Sequence, residues 1–294
     1  MTFVLKTSPC ICLTFRTNYA ILKSLPPGRM DAKSIRYAHR QVLADVCGEC
    51  LFFEVFMKII KLFRDLSRFE LCLWLTSLTV IVVSFLLSGG GDILTMTASL
   101  IGVTALIFVA KGYVIGQVLT VVFALFYGIV SFYFHYYGEM ITYLGMTAPS
   151  AIAAVISWLR HPYEETKEVK VNKLSGKLWA LLVLLTAVIT AAFYFILSAL
   201  GNANILFSTF SVATSFIASY LTFFRSPYYA LAYAANDVIL IVLWTLATLE
   251  NISYLPMIAC FIMFLINDLY GFYNWQKMRK KQEAVIQGVT TAIR

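Results

Sequence analysis

Charge is scarce in this chain of 294 residues: Asp, Glu, Lys and Arg together make up 13%, and only three histidines are present. A water-soluble domain carries about 25% charged residues and needs them to cover its surface. Soluble enzymes and nucleic-acid-binding modules are therefore poor fits. Catalytic signatures are also missing. There is no His-Glu-x-x-His and no Gly-x-Ser-x-Gly, and His39, His135 and His161 are far apart in the chain, which argues against a zinc protease, a serine hydrolase and intramembrane enzymes generally. No Gly-x-x-x-x-Gly-Lys-Ser/Thr occurs, so a nucleotide-driven pump is not built into the chain. No loop is long enough for the soluble module that a sensor would need.

What is plentiful is apolar sequence, 60% of the residues. It comes in long continuous runs without strand-like alternation, which favours helices over a barrel. A crossing helix needs roughly 20 mostly apolar residues to traverse about 30 Å of hydrocarbon. Eight such runs are expected, at 69–88, 93–110, 114–137, 140–159, 178–200, 205–224, 228–249 and 252–273. Turn chemistry separates them: Gly89-Gly90-Gly91-Asp92, Lys111-Gly112, Gly138-Glu139, Gly201-Asn202, Arg225-Ser226-Pro227 and Glu250-Asn251.

Numbering the connections alternately places every basic residue of the core on one side. Lys58, Lys61, Arg64 and Arg68 precede the first run and Lys111 follows the second. Arg160, His161, Lys167, Lys170, Lys173 and Lys177 follow the fourth, Arg225 the sixth, and Lys277, Arg279, Lys280 and Lys281 the eighth. The opposite corners hold only Asp92, Glu139 and Glu250. Positive loops stay in the cytoplasm, so both termini are expected there, and the net charge of +8 is topological.

Residues 1–56 differ from the rest. They contain Pro26-Pro27-Gly28, no spanning run and four of the six cysteines, Cys10, Cys12, Cys47 and Cys50. The spacing of the two cysteine pairs matches no common zinc module, and no metal is assigned. A poorly ordered tail is expected, with the biological start at Met57, from which a short basic amphipathic lead-in reaches Arg68. Cys72 and Cys260 sit singly in spans as packing residues.

An internal repeat is visible. Ile141-Thr-Tyr-Leu-Gly-Met146 returns as Ile252-Ser-Tyr-Leu-Pro-Met257 about 111 residues later. Thr95, Thr97 and Lys111 match Thr209, Ser211 and Arg225 at an offset of about 114. Spans two to four and six to eight thus read as two copies of one three-helix unit. A unit of three crossings ends on the side opposite its start, and the fifth span restores the direction, so the copies become parallel repeats around an axis along the membrane normal, as in SWEET carriers. The first span lies outside this 3+1+3 pattern. The expected layout is lead-in and extra helix 57–92, first bundle 93–160, loop and linker helix 161–204, second bundle 205–276 and basic tail 277–294.

Polar groups inside spans are costly and are functional candidates by default. Asn236-Asp237 lies near the centre of the seventh span and Asn267-Asp268 in the eighth, with no Lys or Arg in any span to neutralise them. Gln117 and Tyr127 in the third span are further candidates. Tyr233, Trp244, Tyr270 and Trp275 stand close enough to the polar pairs to stack a flat ring, while neighbouring aromatics read as an interfacial belt. A planar heteroaromatic solute with hydroxyls suits this mixture.

From about Lys58 to Lys281 the chain resembles the PnuC family of bacterial nicotinamide riboside transporters. The resemblance rests on Lys111-Gly112, Ile156-Ser157-Trp158-Leu159-Arg160, Ala235-Asn236-Asp237-Val238 and Asp268-Leu-Tyr-Gly-Phe-Tyr-Asn-Trp275. It implies the 3+1+3 core, a multi-pass protein of the bacterial inner membrane, and uptake of nicotinamide riboside by facilitated diffusion. It also implies trapping by a cytoplasmic riboside kinase acting downstream, no cofactor, and a solute contact through Tyr233, Asn236, Asp237, Tyr270 and Trp275. Many members carry Trp in place of Tyr233 and Asn in place of Asp237. Related members carry thiamine, riboflavin or deoxynucleosides, so a carrier of one of these, proton-coupled through Asp237 and Asp268, is the competing expectation. A homo-oligomer is compatible with either.

Overall fold

The computed structural model describes residues 61–88, 93–133, 137–164, 166–202 and 204–293. The tail 1–56 with its four cysteines, the start of the lead-in at Met57, Asp92 and His135 lie outside them, as do the side chains of Glu139 and Glu250. The chain divides into two compact units, Met1–Leu71 and Cys72–Arg294. Within the first, Ser67 and Glu70 form a reciprocal capping box. The Ser67 N–H donates to the Glu70 carboxylate at 2.6 Å and the Glu70 N–H to Ser67 Oγ at 3.2 Å, which fixes where the first long helix begins.

Among the described residues, eight helical crossings are long and apolar enough to span a membrane. They are α1 (Arg68–Leu87), α2 (Ile93–Ala110), α3 (Val114–Tyr133), a composite fourth, α6 (Gly176–Ala199), α7 (Ile205–Phe223), α8 (Tyr229–Glu250) and α9 (Leu255–Ile293). The composite crossing joins α4 (Tyr137–Thr142) to α5 (Ala148–Leu159) through a π-helical segment, Tyr143–Thr147. Proline explains the widening. Pro149 in the first turn of α5 offers no N–H to the preceding turn, and the Ala148 N–H bonds to the Tyr143 carbonyl five residues back. The two repeated hexapeptides thus both fall at irregular turns, since the second one covers the 3-10 turn Ile252–Tyr254 before α9.

In lipid, helices associate by close packing of small residues rather than by expelling water. Ala98, Gly102 and Ala105 of α2 are buried, and a Cβ on Gly102 would lie 2.6 Å from Phe264 Cζ of α9. A Cβ on Gly116 of α3 would lie 2.4 Å from the Val109 backbone nitrogen. By contrast α6 buries only Leu182 and Leu197. Its exposed Val183, Leu184 and Phe195 suit acyl chains.

The loops after α2, α5 and α7 and the far end of α9 meet at one end, the basic end. The Val169 N–H donates to the Gly112 carbonyl and the Asn172 N–H to the Arg225 carbonyl, each at 3.0 Å. Gln282 Nε2 donates to the Val169 carbonyl at 3.1 Å while its Oε1 accepts from the Val171 N–H at 2.9 Å. The loop expected to be merely polar is therefore anchored, with Val169 only 1% exposed. The helix α9 also passes position 276 without a break, so the basic segment expected as a tail is a continuation of the last crossing.

The same end carries two matching sets of contacts. Trp158 Nε1 of α5 donates to the Thr222 carbonyl at the end of α7 (3.0 Å), and Ser157 Oγ to the Phe223 carbonyl (2.8 Å). Trp275 Nε1 of α9 donates to the Val109 carbonyl at the end of α2 (2.9 Å), and Asn274 Nδ2 to the Ala110 carbonyl (2.9 Å). Both capped helices end alike: Gly112 at φ +69° and Arg225 at φ +57° occupy the left-handed position, each donating to the carbonyl three residues back. Gly112, not Lys111, is thus the backbone counterpart of Arg225, one residue away from the sequence match. Arg225 tolerates the position because Nε donates to the Lys170 carbonyl (3.1 Å) and Nη1 to Ser157 Oγ (2.7 Å).

Candidate functional site: a cavity between the crossing helices

A cavity of about 120 Å³ lies between α2, α3 and the π-helical segment on one side and α7, α8 and α9 on the other. Helical spacing builds its walls. Tyr229, Tyr233, Asn236, Asp237 and Leu240 form one stripe of α8, Ser208, Ser211 and Ser215 one stripe of α7, and Phe261, Phe264 and Asp268 one stripe of α9. Gln117, Thr120 and Phe123 of α3 face them.

Asn236 is oriented by α7, since its Oδ1 accepts from Ser211 Oγ at 2.9 Å and Thr214 Oγ1 at 3.0 Å. That leaves the amide Nδ2 as a donor for an occupant. The Tyr233 hydroxyl lies 3.4 Å from Ser219 Oγ. Asp237 and Asp268, both 4% exposed, line the cavity together. Asp237 Oδ2 is buried with no hydrogen-bond partner. No Lys, Arg or His lines the cavity among the described residues, nor does any group of His, Cys, Asp or Glu able to hold a metal ion occur there.

Of the residues expected from the sequence, Gln117, Tyr233, Asn236, Asp237 and Asp268 meet at this cavity. The others do not line it. Asn267 Nδ2 is turned to Ser77 Oγ of α1 (3.0 Å) and to the Met263 carbonyl (2.7 Å). Trp244 packs in the apolar core against Tyr254, with ring centroids 5.5 Å apart, and Tyr127 packs behind Phe123 against Tyr143 at 4.4 Å. Trp275 is fully buried as the α9 cap on α2, and Tyr270 stands half-buried on α9 away from the cavity. Sequence reading passed over Tyr229, Thr120, Tyr143 and the serine stripe of α7. The spacing of Ser208, Ser211 and Ser215 along one face of α7 was the available signal.

A sequence model described as nicotinamide mononucleotide transporter matches residues 92–277. The chain belongs to that family. The match begins beside α2 and leaves α1 outside it. Two bacterial relatives named nicotinamide riboside transporter PnuC agree with the assignment. The Neisseria mucosa protein is 27% identical over 226 residues, covering 75% of this chain and 86% of the relative. The Haemophilus influenzae protein is 25% identical over 190 residues, 64% of this chain and 81% of the relative. A solved structure, titled as the crystal structure of the vitamin B3 transporter PnuC, superposes with a TM-score of 0.65 at 27% identity. It covers 74% of this chain and 94% of that one. This member of the family is accordingly a multi-pass membrane transporter.

Proposed function

We propose that the protein carries nicotinamide riboside across the membrane through this cavity. The family description speaks of the mononucleotide and the relatives' names of the riboside, and one observation favours the riboside. The cavity is lined by two carboxyl groups and by no basic side chain among the described residues. A phosphate ester would want cationic or multiple N–H donors, and the described lining offers no basic side chain. A permanently cationic pyridinium ring with ribose hydroxyls meets carboxyl, amide, hydroxyl and tyrosine groups instead.

In this reading Tyr229 and Tyr233 flank the ring, Asn236 and Gln117 bond its carboxamide or the ribose, and Asp237 and Asp268 face its charge. Helices α2 to α5 and α7 to α9 are two parallel three-helix repeats with α6 as the linker and α1 as an addition. The paired caps of Trp158 on α7 and Trp275 on α2 support that arrangement. Rocking of the two repeats exposes the cavity alternately. The basic end faces the cytoplasm, where the bases outnumber acids as in other inner-membrane proteins. The riboside moves down its own gradient, and accumulation follows from its phosphorylation by a cytoplasmic kinase. Uptake of labelled riboside into liposomes tests it: saturable entry without any ion gradient, and no entry of the mononucleotide, is the expected result. Entry of the mononucleotide at a comparable rate would contradict it.

A further inference from the structure

We infer that the Asp237–Asp268 pair is a charge-selecting device that exchanges a proton for the solute's positive charge, so that a cationic ring binds with release of a proton and its neutral isostere does not. This rests on the riboside reading above and adds what decides its selectivity. Three observations carry it. The two side chains line one cavity from neighbouring helices, one on α8 and one on α9. Both line the cavity while being 4% exposed, and Asp237 keeps one oxygen, Oδ2, buried without a partner. The surroundings supply no compensating cation: the titratable groups facing the pair are Tyr229 and Tyr233 of α8 and Cys260 of α9, while α2, α3 and α7 turn only uncharged residues to the cavity.

Two carboxylates that face one buried cavity without a countercharge repel one another, and each is costly to desolvate. The empty pair therefore holds protons. Entry of a pyridinium ring supplies the missing countercharge. One carboxyl O–H bond breaks, its proton leaves to water at the open end of the cavity, and the resulting carboxylate faces the ring. Charge in the buried site is the same before and after, so neither state leaves an isolated charge in the low-dielectric interior. A ring without charge gives the pair no reason to release its proton. It must instead be accommodated beside carboxyl groups that keep their protons.

The test is calorimetric titration of the purified full-length protein at pH 7 in two buffers of different ionisation enthalpy. The probes are nicotinamide riboside and its reduced, uncharged dihydro form. The expected outcome is release of about one proton per riboside bound, none with the dihydro form, and at least about tenfold weaker binding of the latter. In Asp237→Asn, and separately in Asp268→Asn, proton release falls towards zero and the preference for the cation shrinks. Equal affinity for the two ring states, or riboside binding with no proton released by the unmodified protein, overturns the inference while leaving the carrier reading intact. Absence of binding by both probes overturns the carrier reading and the inference with it. The unmodified protein alone decides the question if either variant fails to fold.

Discussion

Trp158 and Trp275 pack against each other with ring centroids 5.4 Å apart, and their indoles cap α7 and α2 respectively. Both are fully buried. Trp158 therefore ties α5 to the end of α7, and Trp275 ties α9 to the end of α2, at the basic end. A phenylalanine in either place keeps most of the packing but removes one of the bonds to a helix-terminal carbonyl, which then keeps only the N–H of Gly112 or Arg225. We expect Trp158→Phe and Trp275→Phe each to lower stability by about 0.5–1.5 kcal/mol. Because the rings touch, the double variant should lose less than the sum of the two. Thermal unfolding in detergent would measure this, and strict additivity would argue against a shared clamp.

The wall of the cavity at Gly102 has no room for a side chain. A Cβ there would lie 2.6 Å from Phe264 Cζ and 3.1 Å from the Phe123 ring, both of which line the cavity. Gly102→Ala should displace these rings and weaken solute binding by about tenfold or more, roughly 1.4 kcal/mol. Adding Phe264→Leu should recover part of the loss, because the ring end is the group struck. Binding titrations on the single and double variants check it.

Asn236 is held by two hydroxyls of α7, which leaves its Nδ2 for the occupant. Asn236→Ala should cost about tenfold or more in affinity with little change in unfolding temperature. Ser211→Ala, which removes one of the two orienting bonds, should cost less. An unaffected affinity in Asn236→Ala would place the solute elsewhere in the cavity.

The left-handed turn at Arg225 separates backbone strain from side-chain bonding. Burial disfavours the charge of its guanidinium, and the acceptors on Lys170 and Ser157 offset that. Arg225→Gly loses those bonds but fits φ +57°, whereas Arg225→Ala loses them and keeps the strain. The alanine variant should therefore be the less stable of the two by about 1 kcal/mol. Unfolding of both in the same detergent compares them directly.

Long apolar runs made the crossings legible, because a stretch of that length has no other stable use. The end of α9 was not, since the basic segment after Trp275 lacks a spanning run yet contains no Gly or Pro until Gly288 and continues as helix. The break at Tyr143–Thr147 was marked by Pro149, whose consequence depends on which carbonyl it deprives. In the site, the polar residues were legible by their cost in a membrane, but their direction was not. Neighbours on a helix point about 100° apart. Thus Asp268 reaches the cavity while the adjacent Asn267 binds Ser77 of α1, and Trp275 caps a helix where an aromatic contact to solute was expected. Those assignments follow from azimuth, which a list of spans does not contain.

The central claim is that this cavity selects the riboside over its phosphorylated form. Calorimetric titration of the purified protein with nicotinamide riboside, the mononucleotide, thiamine, riboflavin and deoxynucleosides tests it most directly. Saturable micromolar or tighter binding of the riboside with no heat from the mononucleotide is the predicted result, in keeping with a lining that holds two carboxyls and no basic side chain among the described residues. Binding of the mononucleotide as tight as that of the riboside, or binding of a different vitamin alone, would contradict it.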